Sequence, residues 1–204
     1  MRSGPTDGIK ASLGDALVSA KSETDLETGL AHLTRLAAAT LGDADAAMRP
    51  GALRPGETSY SVSGVFLITP DTKYNMLVAN TGFPAEQRRL AIPIEWNHPG
   101  QVVATRKPLL LENTDDHADF RQFLKSSRMG SSVYVPMFAD GNMFGQVVVA
   151  AQARWTYGPG DLEAMGAIAA AGETVWRQLG GEAWLSGDYP APDLWDAALR
   201  SVAS

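Results

Sequence analysis

Residues 128–151 read RMGSSVYVPMFADGNMFGQVVVAA, two apolar runs joined by Ala139-Asp140-Gly141-Asn142. A polar Asp-Gly turn between two β-rich runs is a strong local signal for an antiparallel hairpin. The spacing predicts strands over residues 132–138 and 143–151. No side chain in the hairpin carries catalytic chemistry, so its interest lies in what it supports.

Working outward, the N-terminal part places Ile9, Leu13, Leu17 and Ala20 at helical spacing. A second helix follows Thr24, which with Glu27 forms a capping-box pattern. Leu26, Leu30, Leu33, Ala37 and Leu41 make its stripe, and Gly42 stops it. His32 falls at the edge of that stripe. Residues 42–58 hold two prolines and three glycines without periodicity, so they read as a loop, a candidate lid or interaction arm. From Tyr60 the period becomes two, through Val62, Phe66 and Ile68 on one side and Ser61, Ser63, Val65 and Leu67 on the other. Pro70 to Lys73 form a turn, and residues 74–80 return as the partner strand. A short strand is expected at 90–94 and a helix opening at Pro99, with Asn97 or His98 as its cap. A strand at 109–111 and a polar helix at 116–126 come next. The final helix runs from about Gly160 to Leu179.

Composition sets bounds. The 204 residues fit one domain with appendages. Forty-five percent hydrophobic and 20% charged residues describe a chain that folds. A net charge of −6 argues against a phosphate-backbone footprint, and so against nucleic acid as a partner. The absence of cysteine removes thiolate nucleophiles, disulfides and thiolate metal sites together. No apolar run reaches the ~20 residues of a membrane span, which leads us to expect a cytoplasmic protein without membrane association. The enzyme signatures G-x-S-x-G, G-x-x-x-x-G-K-[ST], H-E-x-x-H and G-x-G-x-x-G are all missing, and no catalytic residue is assigned.

The order of elements, with particular short segments, resembles the GAF domain family. Those segments are Ala91-Ile92-Pro93-Ile94, the helix start from Pro99 through Leu109, Asn113-Thr114-Asp115-Asp116, Gly130 through Met137, and Met143-Phe144-Gly145-Gln146-Val147. Tyr157-Gly158-Pro159-Gly160-Asp161-Leu162-Glu163 completes them. The resemblance covers most of the chain. It implies an α+β fold, with a central antiparallel sheet of five to six strands, the terminal helices on one face and a small-ligand pocket on the other. On this reading residues 1–180 form the domain, and residues 181–204 an aromatic, proline-containing tail. That tail either docks on its own domain or recruits a protein partner.

The resemblance also sorts subclasses. Members that reduce free methionine sulfoxide carry cysteines in the segments matching residues 95–100 and 117–127, and this chain has none. Bilin attachment lacks its cysteine as well. The cyclic-nucleotide pattern is matched only by Asn113, Thr114 and Phe120. The pocket mouth falls on Trp96, Asn97, His98, His117 and Phe120, and the backing strand contributes Ser132 and Tyr134, with Ser131, Tyr60, Phe66 and Gln146 in second rank. Trp96 supplies a stacking face, Asn97 a donor and an acceptor, and His98 a proton that moves near neutrality. The helix start beside His98 favours an anionic group. The alternative is that Asn97 and His98 merely cap the helix while Trp96 fills a core corner.

Three functions follow. One is a regulatory module that senses a small polar, anionic or aromatic metabolite and signals by association. Another is a dimeric accessory scaffold with a degenerate pocket that binds a protein partner. The third is a metal or haem protein using His98 and His117 with Glu95, Asp115 or Asp116. The cofactor is left unassigned. Heptad spacing of Leu162, Met165, Ala169 and Trp176 suggests either packing on the chain's own sheet or a homodimer seam.

Overall fold

The computed structural model describes residues 5–117 and 128–197. Helices α1 (Pro5–Lys21) and α2 (Leu26–Thr40) lead into the loop 42–58. Strands β1 (Ser61–Ile68), β2 (Tyr74–Thr81) and β3 (Leu90–Pro93) follow, then helix α3 (Asn97–Thr105) and strand β4 (Leu109–Leu111). The hairpin is β5 (Ser131–Ala139) and β6 (Asn142–Ala151). It is succeeded by α4 (Pro159–Gln178), α5 (Gly181–Asp188) and β7 (Trp195–Asp196). Of the expected helix at 116–126, residues 118–126 lie outside the described residues; Asp116 closes a short 3-10 turn and His117 follows it.

The sheet order is β4-β5-β6-β1-β2-β3-β7. Every pairing is antiparallel except β3 with β7, where Leu90 and Ala91 meet Trp195 and Asp196 in parallel register. The sheet thus has seven strands rather than five or six. The extra strand, β7, comes from the tail and is only two residues long, too short to give a strand signal.

Period-two alternation sorts the side chains between two layers. Val65 and Leu67, Met76 and Val78, Val133, Val135 and Met137, and Val147 and Val149 all turn toward α1, α2 and α4. They meet Leu26, Leu30 and Leu33 from α2 and Met165, Ile168 and Val175 from α4. Each such buried side chain contributes about 1.5–3 kcal/mol. Phe66, Leu77, Ile92, Tyr134 and Val148 occupy the opposite face with Val102 of α3 and Leu111 of β4. Gly145 allows β1 and β6 to close, since a Cβ there would lie 2.3 Å from the Phe66 carbonyl oxygen.

Several expectations are corrected here. Helix α2 is capped by Asp25 rather than Thr24: its carboxylate accepts the Thr28 amide at 2.9 Å. The heptad stripe of α4 faces its own sheet. Met165 is 0%, Ala169 5% and Trp176 4% exposed, Leu162 packs half-buried on the same core, and Trp176 stacks on Phe144 with ring centroids 4.4 Å apart. A 3-4 repeat marks an apolar face without saying whether a sheet or a second helix covers it. The outward side of α4 is instead Glu163, Gly166, Ala170 and Thr174.

The loop 42–58 is pinned rather than hanging as an arm. Arg154, 1% exposed, donates to the Ala52 carbonyl at 3.3 Å, to both carboxylate oxygens of Glu57, and to Asp115 Oδ2 at 3.0 Å. The tail docks on its own domain. Trp184 Nε1 donates to Asp25 Oδ1 at 2.9 Å, Tyr189 to Asp71 at 2.9 Å, and Tyr74 to Asp196 at 2.8 Å.

Candidate ligand site

The site is built where β3 runs into α3. The Trp96 amide donates to the Pro93 carbonyl at 2.9 Å, and the Gly100 amide to the Trp96 carbonyl at 2.9 Å, so the chain turns within one residue of leaving the sheet. Asn97 adopts the left-handed conformation, φ +57°, which asparagine tolerates better than most residues. Gly100 is required by the tightness of the turn: a Cβ there would sit 2.4 Å from the Glu95 carbonyl carbon. Trp96 occupies the cap position of α3 with no side-chain capping hydrogen bond. Neither Asn97 nor His98 is the cap, therefore, and Trp96 packs at the margin of the second core layer.

His98 is 6% exposed and stands between two rings. Its centroid is 5.7 Å from that of His117, edge to face, and 6.4 Å from that of Tyr134. His117 is exposed, whereas Tyr134 is 8% exposed on β5. The three rings therefore form a track from the surface down to the sheet. Burial pushes the Tyr134 phenol up, so it stays protonated and can donate a hydrogen bond at neutral pH. Ser132 lies two residues along β5 on the same face and is fully buried. Phe66 and Phe83 meet edge to face at 6.2 Å beside this layer. Phe120 lies outside the described residues.

The second-rank residues divide. Ser131 points to the other side, where its hydroxyl donates to the Leu111 carbonyl at 3.2 Å and accepts the Tyr157 amide at 3.2 Å; it is a strut. Gln146 is buried beneath α3, donating through Nε2 to Asn75 Oδ1 at 3.0 Å and to the Pro99 carbonyl at 3.2 Å. It fixes the helix one residue after His98. Tyr60 packs with Val62, Met129 and Ala150.

Asn75 and Arg154 escaped the sequence reading. The signals were there: an asparagine in an otherwise apolar strand, and an arginine directly after the hairpin. Arg154 governs the segment that ends in His117. Burial pushes the Asp115 carboxyl up, but the Arg154 hydrogen bond and the charges of Arg154, Arg128 and Arg54 outweigh it and hold the group below the usual carboxylate range. Asp115 lies 2.7 Å from Arg54 and 2.6 Å from Arg128. Its oxygens are thus committed to arginines and not to the histidine pair. Among the described residues no three histidine or carboxylate side chains converge on a metal position.

A GAF domain family profile matches residues 25–174. The chain belongs to the GAF domain family. Solved structures give the same fold. The free methionine-R-sulfoxide reductase of Neisseria meningitidis, in complex with its substrate, superposes with a TM-score of 0.68 at 19% identity, covering 89% of this chain and 96% of that one. The GAF domain of an Acinetobacter phosphoenolpyruvate-protein phosphotransferase gives 0.66 at 16% identity, over 84% and 93% of the two chains. Its counterpart from Coxiella burnetii gives 0.67 at 13%, over 86% and 96%. No curated protein matches at a significant level. The family indicates a ligand-binding regulatory kind of domain, and these likenesses carry the fold alone. In this GAF domain, no helix among the described residues is long and apolar enough to cross a membrane.

Two concavities lie away from the ring track. One of about 250 Å³ is lined by Thr40, Asp43, Tyr60 and Tyr157 among others, and one of about 430 Å³ by Asp140, Trp176, Arg177 and Glu182.

Proposed function

We propose that this GAF domain senses a small polar metabolite bearing a carboxylate or similar anion, held between the β3–α3 corner and the β5 face. The observation that carries the reading is the His117, His98 and Tyr134 track, which runs from an exposed imidazole to a buried phenol. Stacking surface and hydrogen-bonding groups stand there within one ligand's reach. The amides at the start of α3 add a preference for negative charge.

The Neisseria relative holds its substrate in a similar fold, which supports a ligand of amino-acid size. Its name specifies a reductase, but this chain contains no cysteine, so thiol-based reduction has no nucleophile here. We read the site as one that binds without turnover. Signalling then proceeds by association of two copies through the outward side of α1 and α4, where Val18 is 70% exposed on α1 and Gly166, Ala170 and Thr174 are exposed on α4. Native mass spectrometry of the purified protein tests both parts together. A dimer carrying a small copurified mass is expected, and a bare monomer that takes up no added metabolite contradicts the proposal.

A further inference from the structure

The tail lies beyond the family match, yet it grips the corner that carries the candidate site. Its hold begins on the helix side of the sheet. Trp184 packs on the first core layer, bonds Asp25, and carries the Arg89 guanidinium over its ring at 5.0 Å. Leu185 and Ala191 are buried in that layer, and Tyr189 bonds Asp71 in the β1–β2 turn. Asp193 pairs with Arg88, and Glu27 of α2 pairs with Arg88 at 3.0 Å and with Arg89 at 2.8 Å.

The segment then crosses the sheet edge. The Trp195 amide donates to the Arg89 carbonyl at 3.1 Å, β7 pairs with β3, and Tyr74 bonds Asp196. Beyond the edge, Trp195 joins the second core layer, in the same cluster as Leu90, Ile92, Trp96 and Tyr134. Arg89, the residue just before β3, stands at φ +59°. A non-glycine residue keeps that conformation only where its surroundings over-determine it, and here the tail and Glu27 supply them.

We propose that residues 181–197 are a strap that fixes the β3–α3 corner in its binding geometry, with Trp195 as the positioning residue. Trp195 acts through β3 and the cluster it shares with Trp96, not by touching the ligand. The docking bonds are individually modest and range from part-buried to exposed, which puts the strap toward the low-stability end of the molecule. Releasing it loosens the corner while leaving the hairpin intact. The functional meaning of the strap rests on the reading of the site above, but its mechanical role does not.

Hydrogen exchange followed by mass spectrometry on the full chain, without ligand, tests it. The variants are Trp195→Ala, Trp195→Phe and the triple Trp184→Phe/Tyr189→Phe/Asp193→Asn, which alters only strap residues. Exchange over residues 90–105 is expected to rise on the order of tenfold in Trp195→Ala and in the triple variant, to stay near wild type in Trp195→Phe, and to stay slow in β5 and β6 throughout. Fast exchange in residues 181–197 with residues 90–105 unchanged overturns the proposal. So does an equal rise in β5 and β6, which would mean general destabilisation. Since no ligand enters the measurement, its failure leaves the pocket reading standing, and a failed ligand screen leaves the strap standing.

Discussion

Arg154 is the residue on which the most local structure depends. A guanidinium this deeply buried is stable only because Glu57, Asp115 and two carbonyls surround it. Arg154→Met is expected to destabilise the fold by about 3 kcal/mol, read by urea titration, because two carboxylates lose their buried partner. An unchanged midpoint would show the network to be incidental. The same network sets an acid limit. For Glu57, burial pushes the carboxyl up, but the Arg154 hydrogen bond and the neighbouring Arg54 amide and charge prevail, so both Glu57 and Asp115 titrate below their ordinary 4.5 and 3.8. Depressed folded-state values mean stability that is complete above the ordinary values and lost as pH falls through and below them. Melting temperature should therefore fall from about pH 5 to about pH 3 in the wild type, and less steeply in Arg154→Met. Gly100 is the second sensitive residue. Gly100→Ala should cost about 2 kcal/mol and move the first turn of α3, since its Cβ cannot share space with the Glu95 carbonyl. A crystal structure of the variant with α3 unmoved would refute this.

At the scale of elements, the hairpin was legible because each of its signals is local: alternation, a Asp-Gly turn and flanking polar residues. Strands β5 and β6 accordingly fall within a residue or so of their expected limits. Helix α4 was equally legible as an element, yet its partner was not. Its stripe says only that something apolar covers it, and the sheet does so. Trp176→Asp consequently unfolds the domain rather than dissociating a dimer, visible as loss of the cooperative melting transition. Retention of a native melt would contradict the packing described here. The tail was illegible for another reason: β7 is two residues long, and its pairing with β3 depends on contacts more than a hundred residues away in sequence. The site stands between these cases. Trp96, Asn97 and His98 were named as candidates from residue chemistry at a helix start, and the structure places them at the β3–α3 corner, whereas the Asn75–Gln146 brace beneath them needed the register of three strands.

Over the whole molecule, one face of the sheet is spent on stability and the other is given polar and aromatic side chains near α3. That division is what a sensing domain requires, because a ligand can alter the second layer without dismantling the first. The proposed association of two copies is tested in the helix layer. Ala170→Arg, on the outward side of α4, should preserve the melting temperature and yield a monomer by light scattering; an unchanged dimer mass would place the contact elsewhere. The central claim, that the ring track binds a small anionic metabolite, is tested most directly by thermal shift against a panel of small carboxylates and aromatic acids, with wild type, His98→Ala and Tyr134→Phe side by side. The account predicts a concentration-dependent rise in melting temperature for the wild type that is reduced in Tyr134→Phe and lost in His98→Ala. No rise with any compound, or an equal rise in all three proteins, would contradict it.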